Sequence, residues 1–198
     1  KGEDYFSPNY DAQEVVYQDI QVLLTEAIDL LKKPSTDNAF LPAADDFIHG
    51  GDASKWVNTA WILKARFANR LSLRNAGSAD EVLGYLGNLD ANAADAMAVF
   101  GTNSSELNPW YAFNNERGSY IRMGAHYVDF LKSISDPRLP FFCATDAAGE
   151  YVGATPGSEN TEASQTGPFY SSADSPIPLV SLVEAKFLEA EALFRKGG

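Results

Sequence analysis

Apolar residues recur at helical spacing in three long stretches of the chain. Over residues 11–33, DAQEVVYQDIQVLLTEAIDLLKK, Val16, Ile20, Leu23, Ala27, Leu30 and Leu31 fall on one stripe, which predicts an amphipathic helix. Asp11 and Glu14 are spaced as a capping box at its start, Lys32 and Lys33 suit its negative end, and Pro34 stops it. Over residues 52–75, Trp56, Ala60, Leu63, Phe67 and Leu71 share a stripe that Val57, Trp61, Ala65 and Ala68 widen to about half the helix. Asn58, Thr59, Arg66, Asn69 and Ser72 form its polar side. A helix covered on two flanks is the middle member of a stack, so Trp56 and Phe67 are expected in the core rather than on a ligand platform. Asp52 supplies its N-cap and Gly77 its close. The third stretch, residues 179–196, repeats Val180, Val183, Phe187, Ala190 and Phe194 and stops at Gly197-Gly198. A long amphipathic helix followed by a glycine turn is half of a helical hairpin, so the chain reads as a piece of a longer one.

Weaker patterns fill the space between. A third helix, interrupted by Gly84 and Gly87, follows Ser78, and a short one over about Gly124–Ile134 carries Val128 and Leu131 inward and ends at an Asp136-Pro137 turn. Residues 35–51 are a loop. Residues 137–178 are dense in Gly, Ser, Thr and Pro without a period, which predicts a long structured loop with a short hairpin around Tyr151. The fold class is therefore mainly α: a single domain over residues 1–198 with a loop insertion at 137–178.

Charge and composition narrow the function. A formal charge of −12 over 198 residues opposes phosphate backbones and anionic lipid, so no nucleic-acid partner is expected. The lone Cys143 excludes an internal disulfide and is expected buried. No apolar run approaches the ~20 residues that cross a bilayer. His49 and His126 lack partners at a ligand spacing, so neither a metal nor a cofactor is expected. Arg70 and Arg74 flank the buried stripe of their helix as Glu184 and Glu191 flank theirs, and pairing between them or with Asp136 is expected. Catalysis by the two glutamates is disfavoured, because seven residues of helix separate them by about 10.5 Å, beyond the roughly 5–9.5 Å of glycosidase acid pairs. No nucleophile elbow is present, and the chain is not read as an enzyme.

One stretch carries binding chemistry. NPWYAFNNERGSY, residues 108–120, offers Trp110, Tyr111 and Tyr120 as stacking faces and Asn114, Asn115 and Arg117 as partners for hydroxyls, the combination that holds sugars. The plainer reading is a turn after Pro109 whose aromatics cover the helices. Tyr151, Phe169 and Tyr170 in the long loop pose the same alternative.

The blocks PNYDAQEVVYQDI, GDASKWVNTAWILKARFANRLSLR, DPRLPFF, EYVGATPG and PIPLVSLVEAKFLEAEALFRKG, in this order along the chain, resemble successive signatures of the SusD/RagB-like outer-membrane nutrient-binding lipoproteins. The last block is the most specific, with Glu184 and Ala190-Glu191-Ala192 resembling a helix of a tetratricopeptide-like repeat. The resemblance covers about residues 8–197 and implies the middle portion of a longer protein with a tetratricopeptide-like scaffold of helical pairs. It further implies capture of glycans or other oligomers at the cell surface without catalysis, and delivery to a SusC-like, TonB-dependent transporter. Membrane attachment would be through a lipid anchor that this sequence does not contain. A tetratricopeptide-like scaffold that binds only protein is the alternative.

Overall fold

The computed structural model describes residues 9–118 and 120–197. Pro8 of the first block, Ser119 of the aromatic stretch and the terminal Gly198 lie outside the described residues. The chain forms helices α1 (Gln13–Leu31), α2 (Ala53–Arg70), α3 (Ser78–Leu86), α4 (Pro109–Glu116), α5 (Ala125–Ser133), α6 (Leu139–Phe142), α7 (Pro168–Ser171) and α8 (Leu182–Arg195). Strands β1 (Ala96–Ala98) and β2 (Ile177–Val180) pair as a two-stranded sheet. Two compact units result, one built from the chain up to Met97 together with the segment from Pro178 on, the other from Ala98–Ile177. The segment expected as an insertion, 137–178, thus falls, apart from Pro178, within a unit that begins earlier, at Ala98.

The first unit is built around α2, which packs against α1, α3 and α8. Asp52 caps it as expected, accepting from the backbone N–H of Ser54 at 2.9 Å and of Lys55 at 3.3 Å. Three faces of α2 are sealed by small apolar groups. Val57 and Ala60 meet Ile28, Leu24 and Leu31 of α1; Ala65 and Ala68 meet Ala79 and Val82 of α3 and Leu188 and Ala192 of α8; Ile62 meets Ala96, Val180 and Ala185. Alanine at these contacts lets helix axes approach closely.

The beam expected over 52–75 is therefore present, with corrections. Trp56 and Phe67 are half-buried rather than core. The Trp56 ring meets His49 edge-on at 4.8 Å and its Nε1 donates to Asp46 Oδ2 at 2.7 Å, while Phe67 meets Tyr17 at 5.9 Å. The expected polar side is instead buried at Asn58 and Thr59, because loops bring it partners. Asn58 donates to Asp90 Oδ1 at 2.8 Å and accepts from Asp90 N at 3.0 Å, and Thr59 Oγ1 pairs with His49 Nε2 at 2.9 Å. The helix also ends at Arg70, earlier than expected, where the chain tightens into turns through Leu71 N to Ala68 O and Ser72 N to Asn69 O.

The outer helices are rotated from the expected registers. On α1 no side chain closes the capping box, since Ala12 is the N-cap, and the inward face is Tyr17, Ile20, Leu24, Ile28 and Leu31. Val16, Leu23 and Leu30 of the expected stripe are exposed. On α8 the face that packs is Ala185, Leu188 and Ala192, while Phe187 and Phe194 are 73% and 78% exposed. Residues 179 and 180 belong to β2 rather than to a helix. Ser181 caps α8 by accepting from Glu184 N at 3.1 Å.

Ion pairing follows a different arginine from those expected. Arg66 grips Glu184 with Nε and Nη2, both at 2.5 Å, and also donates to Leu179 O at 2.9 Å. Glu191 accepts from Asn69 Nδ2 at 2.9 Å. Arg70 and Arg74 are exposed, so neither requires a buried counterion, and Asp136 is held by Arg138 at 2.7 Å.

The loop before α2 is fixed by Asp46. Burial pushes its carboxyl up, but donation from the Trp56 indole and from the N–H groups of His49, Gly51 and Ile48 outweighs this and holds it at about 2. A carboxyl lowered by folding adds stability above its unfolded value of about 3.9 and loses it as pH falls towards about 2. Thermal melts between pH 5 and pH 2 are accordingly expected to show a shallower decline in Asp46→Asn than in the parent, and parallel curves would refute the assignment.

In the second unit, residues expected as a turn form α4. Asn108, fully buried, accepts from Trp110 N at 2.8 Å and Tyr111 N at 3.1 Å and donates to Ser175 O at 2.7 Å, and Pro109 occupies the first helical position. Helix α5 turns Val128 and Leu131 inward as expected. Over 137–178 the structure has the short helices α6 and α7, with a tight turn at 146–150 where Asp146 N donates to Glu150 O at 2.8 Å. Cys143 is buried as expected, which pushes its thiol up.

Candidate functional site

Three separated segments of the second unit interlace around Ser164. Its carbonyl accepts from Met123 N at 2.8 Å, its N–H donates to Val152 O at 2.7 Å, and its hydroxyl accepts from Val152 N at 3.0 Å. Ala154 then bonds both ways to the first segment, N to Met123 O and O to Ala125 N, each at 2.8 Å. Gln165 adds Nε2 to Gly118 O at 2.5 Å. Ser164 and its neighbour Ala163 are fully buried, so the junction is closed to solvent and bonded from several segments.

Ala154 of this junction also lines a cleft of about 720 Å³, together with Tyr120, Arg122, Ser158, Glu159, Asn160 and Thr161. Tyr120 is 69% exposed, with the edge of Phe113 at 6.2 Å and the Arg117 guanidinium 5.5 Å from its ring centre. An open aromatic face next to amide, hydroxyl, carboxylate and guanidinium groups suits a polyhydroxylated ligand.

Of the residues singled out in the sequence, Tyr120 lines this cleft and Arg117 stands over its ring. Trp110, in the first turn of α4, is 44% exposed, and Tyr111 is half-buried. Asn115 is exposed, whereas Asn114 commits its Nδ2 to Thr166 Oγ1 at 2.7 Å. Tyr151 is half-buried, its carbonyl accepting from Lys132 Nζ at 3.1 Å. Tyr170 packs with Phe169 at 5.0 Å and Phe142 at 5.5 Å, a cluster that also includes Tyr127. Burial, with the Tyr170 hydroxyl beside it, pushes the Tyr127 phenol up to about 12. The structure thus brings together Arg117 and Tyr120 and leaves Trp110, Tyr151 and Tyr170 outside the cleft lining. Arg122, Glu159, Asn160 and Thr161 were not anticipated.

A cleft of about 840 Å³ in the first unit is lined by residues that include Tyr17, Gln21, Arg74, Glu81 and Tyr85. Its tyrosines are half-buried, Tyr85 stacked on Trp61 at 6.1 Å with Lys64 Nζ 4.8 Å from its centre and Tyr17 edge-on to Phe67, whereas Tyr120, although it also meets a phenylalanine edge and a guanidinium, is mostly exposed. Exposure rather than size therefore favours the cleft at Tyr120.

The sequence profile of a SusD-like family, described as starch-binding and associating with the outer membrane, matches residues 1–197. A search of the curated proteins finds no match. Among solved structures, the chain is similar to a SusD homologue from Bacteroides vulgatus ATCC 8482, at 21% identity and TM-score 0.75, over 99% of this chain and 42% of the homologue. A SusD-like protein from Bacteroides thetaiotaomicron VPI-5482 is 25% identical with TM-score 0.76, over 99% and 42% of the two chains. A chitin-binding protein is 21% identical with TM-score 0.72, over 99% and 46%. The chain spans less than half the length of these three structures. Its mainly helical architecture is theirs, and with the family profile matched from residue 1 to residue 197 the chain belongs to the SusD-like family.

Proposed function

We propose that the cleft at Tyr120 binds glycan and that the whole protein captures oligosaccharides at the cell surface without cleaving them. The carrying observation is the exposed Tyr120 ring set among hydrogen-bonding groups in one cleft. Family membership supports the same reading, since the family is described as starch-binding and associating with the outer membrane. In this proposal the protein is a lipid-anchored outer-membrane component that passes its cargo to a SusC-like, TonB-dependent transporter. Among the described residues no helix is long and apolar enough to cross a membrane. Trp110, Tyr111, Asn115, Tyr151 and Tyr170 are proposed as outlying contacts for longer oligomers.

The test is calorimetry against a panel of oligosaccharides. Tyr120→Ala is expected to weaken binding about tenfold, or about 1.4 kcal/mol, with an unchanged melting temperature. Equal affinity in parent and variant would remove the cleft from the proposal.

A second reading, a scaffold that binds only protein, is favoured by one observation: the exposed stripe of Val183, Phe187 and Phe194 on α8. Failure of every oligosaccharide to bind, with retained binding of a partner protein that Phe187→Asp abolishes, would select it.

A further inference from the structure

Arg122 lines the cleft, and among the described residues no carboxylate neutralises its side chain. Its Nε is sealed from solvent and has no hydrogen-bond partner. Arg66 is paired with Glu184, Arg138 with Asp136 and Arg195 with Glu191, and of the arginines without an ion pair among the described residues Arg70, Arg74 and Arg117 are exposed, whereas Arg122 is half-buried. The sealed Nε is beyond a ligand's reach, but the terminal nitrogens are not sealed and take no bond from the described residues, so they are the donors that a ligand in the cleft can engage. A guanidinium presents parallel donors in a planar fork, matched to two oxygens of one anionic group, and such charge-assisted bonds are roughly twice as strong as neutral ones.

The surrounding groups select among anions. Tyr120 supplies a face for a sugar ring, Ser158, Asn160 and Thr161 are neutral partners for hydroxyls, and Glu159 accepts from hydroxyl donors. Glu159 forms no ion pair with Arg122 and so does not satisfy the fork. The ligand these groups describe is a sugar ring that carries both hydroxyls and an oxyanion.

We propose that this cleft selects acidic sugar units, seating a uronate carboxylate or a sulfate ester on Arg122 while the ring lies on Tyr120. The proposal rests on the reading of the cleft as a glycan site.

Matched ligands isolate the charge. Binding of a galacturonate hexamer is compared with that of its methyl ester, and a sulfated galactan oligomer with its desulfated form, using the parent, Arg122→Gln, Arg122→Lys and Tyr120→Ala. At least one acidic form is expected to bind tenfold or more tightly than its neutral counterpart, with affinity falling as salt rises. The pair that shows the preference identifies carboxylate or sulfate. Arg122→Gln is expected to abolish the preference at an unchanged melting temperature, because no intramolecular bond is lost, and Arg122→Lys to retain part of it. Equal binding of acidic and neutral forms, a preference that survives in Arg122→Gln, or no binding of either acidic oligomer would overturn the proposal. Binding of neutral forms that still depends on Tyr120 leaves the glycan reading standing, whereas binding insensitive to Tyr120→Ala removes that reading itself.

Discussion

Replacing Ile62 by alanine is expected to destabilise the protein by about 2–5 kcal/mol, the cost of deleting buried methylenes and leaving a cavity. Ile62 is fully buried at the point where α2 meets Ala96, Val180 and Ala185. Two of those three buried neighbours are alanines, which have no side-chain length with which to fill the gap, and the third, Val180, is fixed in the short ladder of β2. Ile48, Leu86, Leu89 and Leu182 pack against the same cluster, and how far they move inward sets where in that range the loss falls. Urea denaturation of parent and variant measures it. A difference below about 1 kcal/mol would mean that the core relaxes around the hole, contrary to the usual behaviour of such cavities. Trp56→Ala makes a useful contrast: its ring is larger but half-buried, and its loss also releases Asp46 Oδ2 from the indole N–H.

That contrast shows what the apolar pattern conveys and what it does not. The pattern identifies α1, α2 and α8 because each holds a full helical period, and it identifies α2 as the middle of a stack because its apolar arc is wide. It misplaces the buried faces because a period reports that a stripe exists, not which of two competing stripes packs. On α8 the larger side chains, Val183, Phe187 and Phe194, make the more conspicuous stripe, yet the smaller Ala185, Leu188 and Ala192 allow close approach to α2 and α3 and win the interface. Arg66 falls on the polar side of the α2 pattern for the same reason. Once α8 turns Glu184 towards α2, the nearest guanidinium is that of Arg66, not Arg70 or Arg74.

The site was legible only in part. Tyr120 belongs to a stretch whose aromatic and amide content suggested sugar contacts, but the helix inside that stretch was overlooked although Asn108-Pro109 is a sound N-cap and first-position pair. Arg122, Glu159, Asn160 and Thr161 carry no periodicity and match no motif. They converge because backbone bonds to Met123, Val152 and Ala154 draw distant loop segments together, and partners of that kind leave no mark on side-chain pattern.

Gly153 is the position at which that convergence is most easily broken. A Cβ added there would lie 2.3 Å from Ala125 Cα, 2.6 Å from Ala125 N and 2.8 Å from the carbonyl carbon of Gly124. All three are backbone atoms at the start of α5, so no side-chain rotation relieves the clash, and the segment from Val152 to Ala154 has to withdraw. Withdrawal breaks the paired bonds of Ala154 to Met123 and Ala125, and Ala154 itself lines the cleft with Arg122 and Tyr120. Gly153→Ala is therefore expected to cost about 3 kcal/mol, the upper end of ordinary overpacking, and to weaken glycan binding by more than Tyr120→Ala does, since it displaces the cleft wall rather than one ring. Gly124→Ala is the control, because a Cβ at that neighbouring residue meets nothing within 4 Å and its backbone is in an ordinary extended conformation. Calorimetric binding and thermal melts on both variants decide the matter: a marked loss in Gly153→Ala alone is the expected result, and equal effects in the two, or none in either, would mean that close approach at Gly153 does not hold the cleft together.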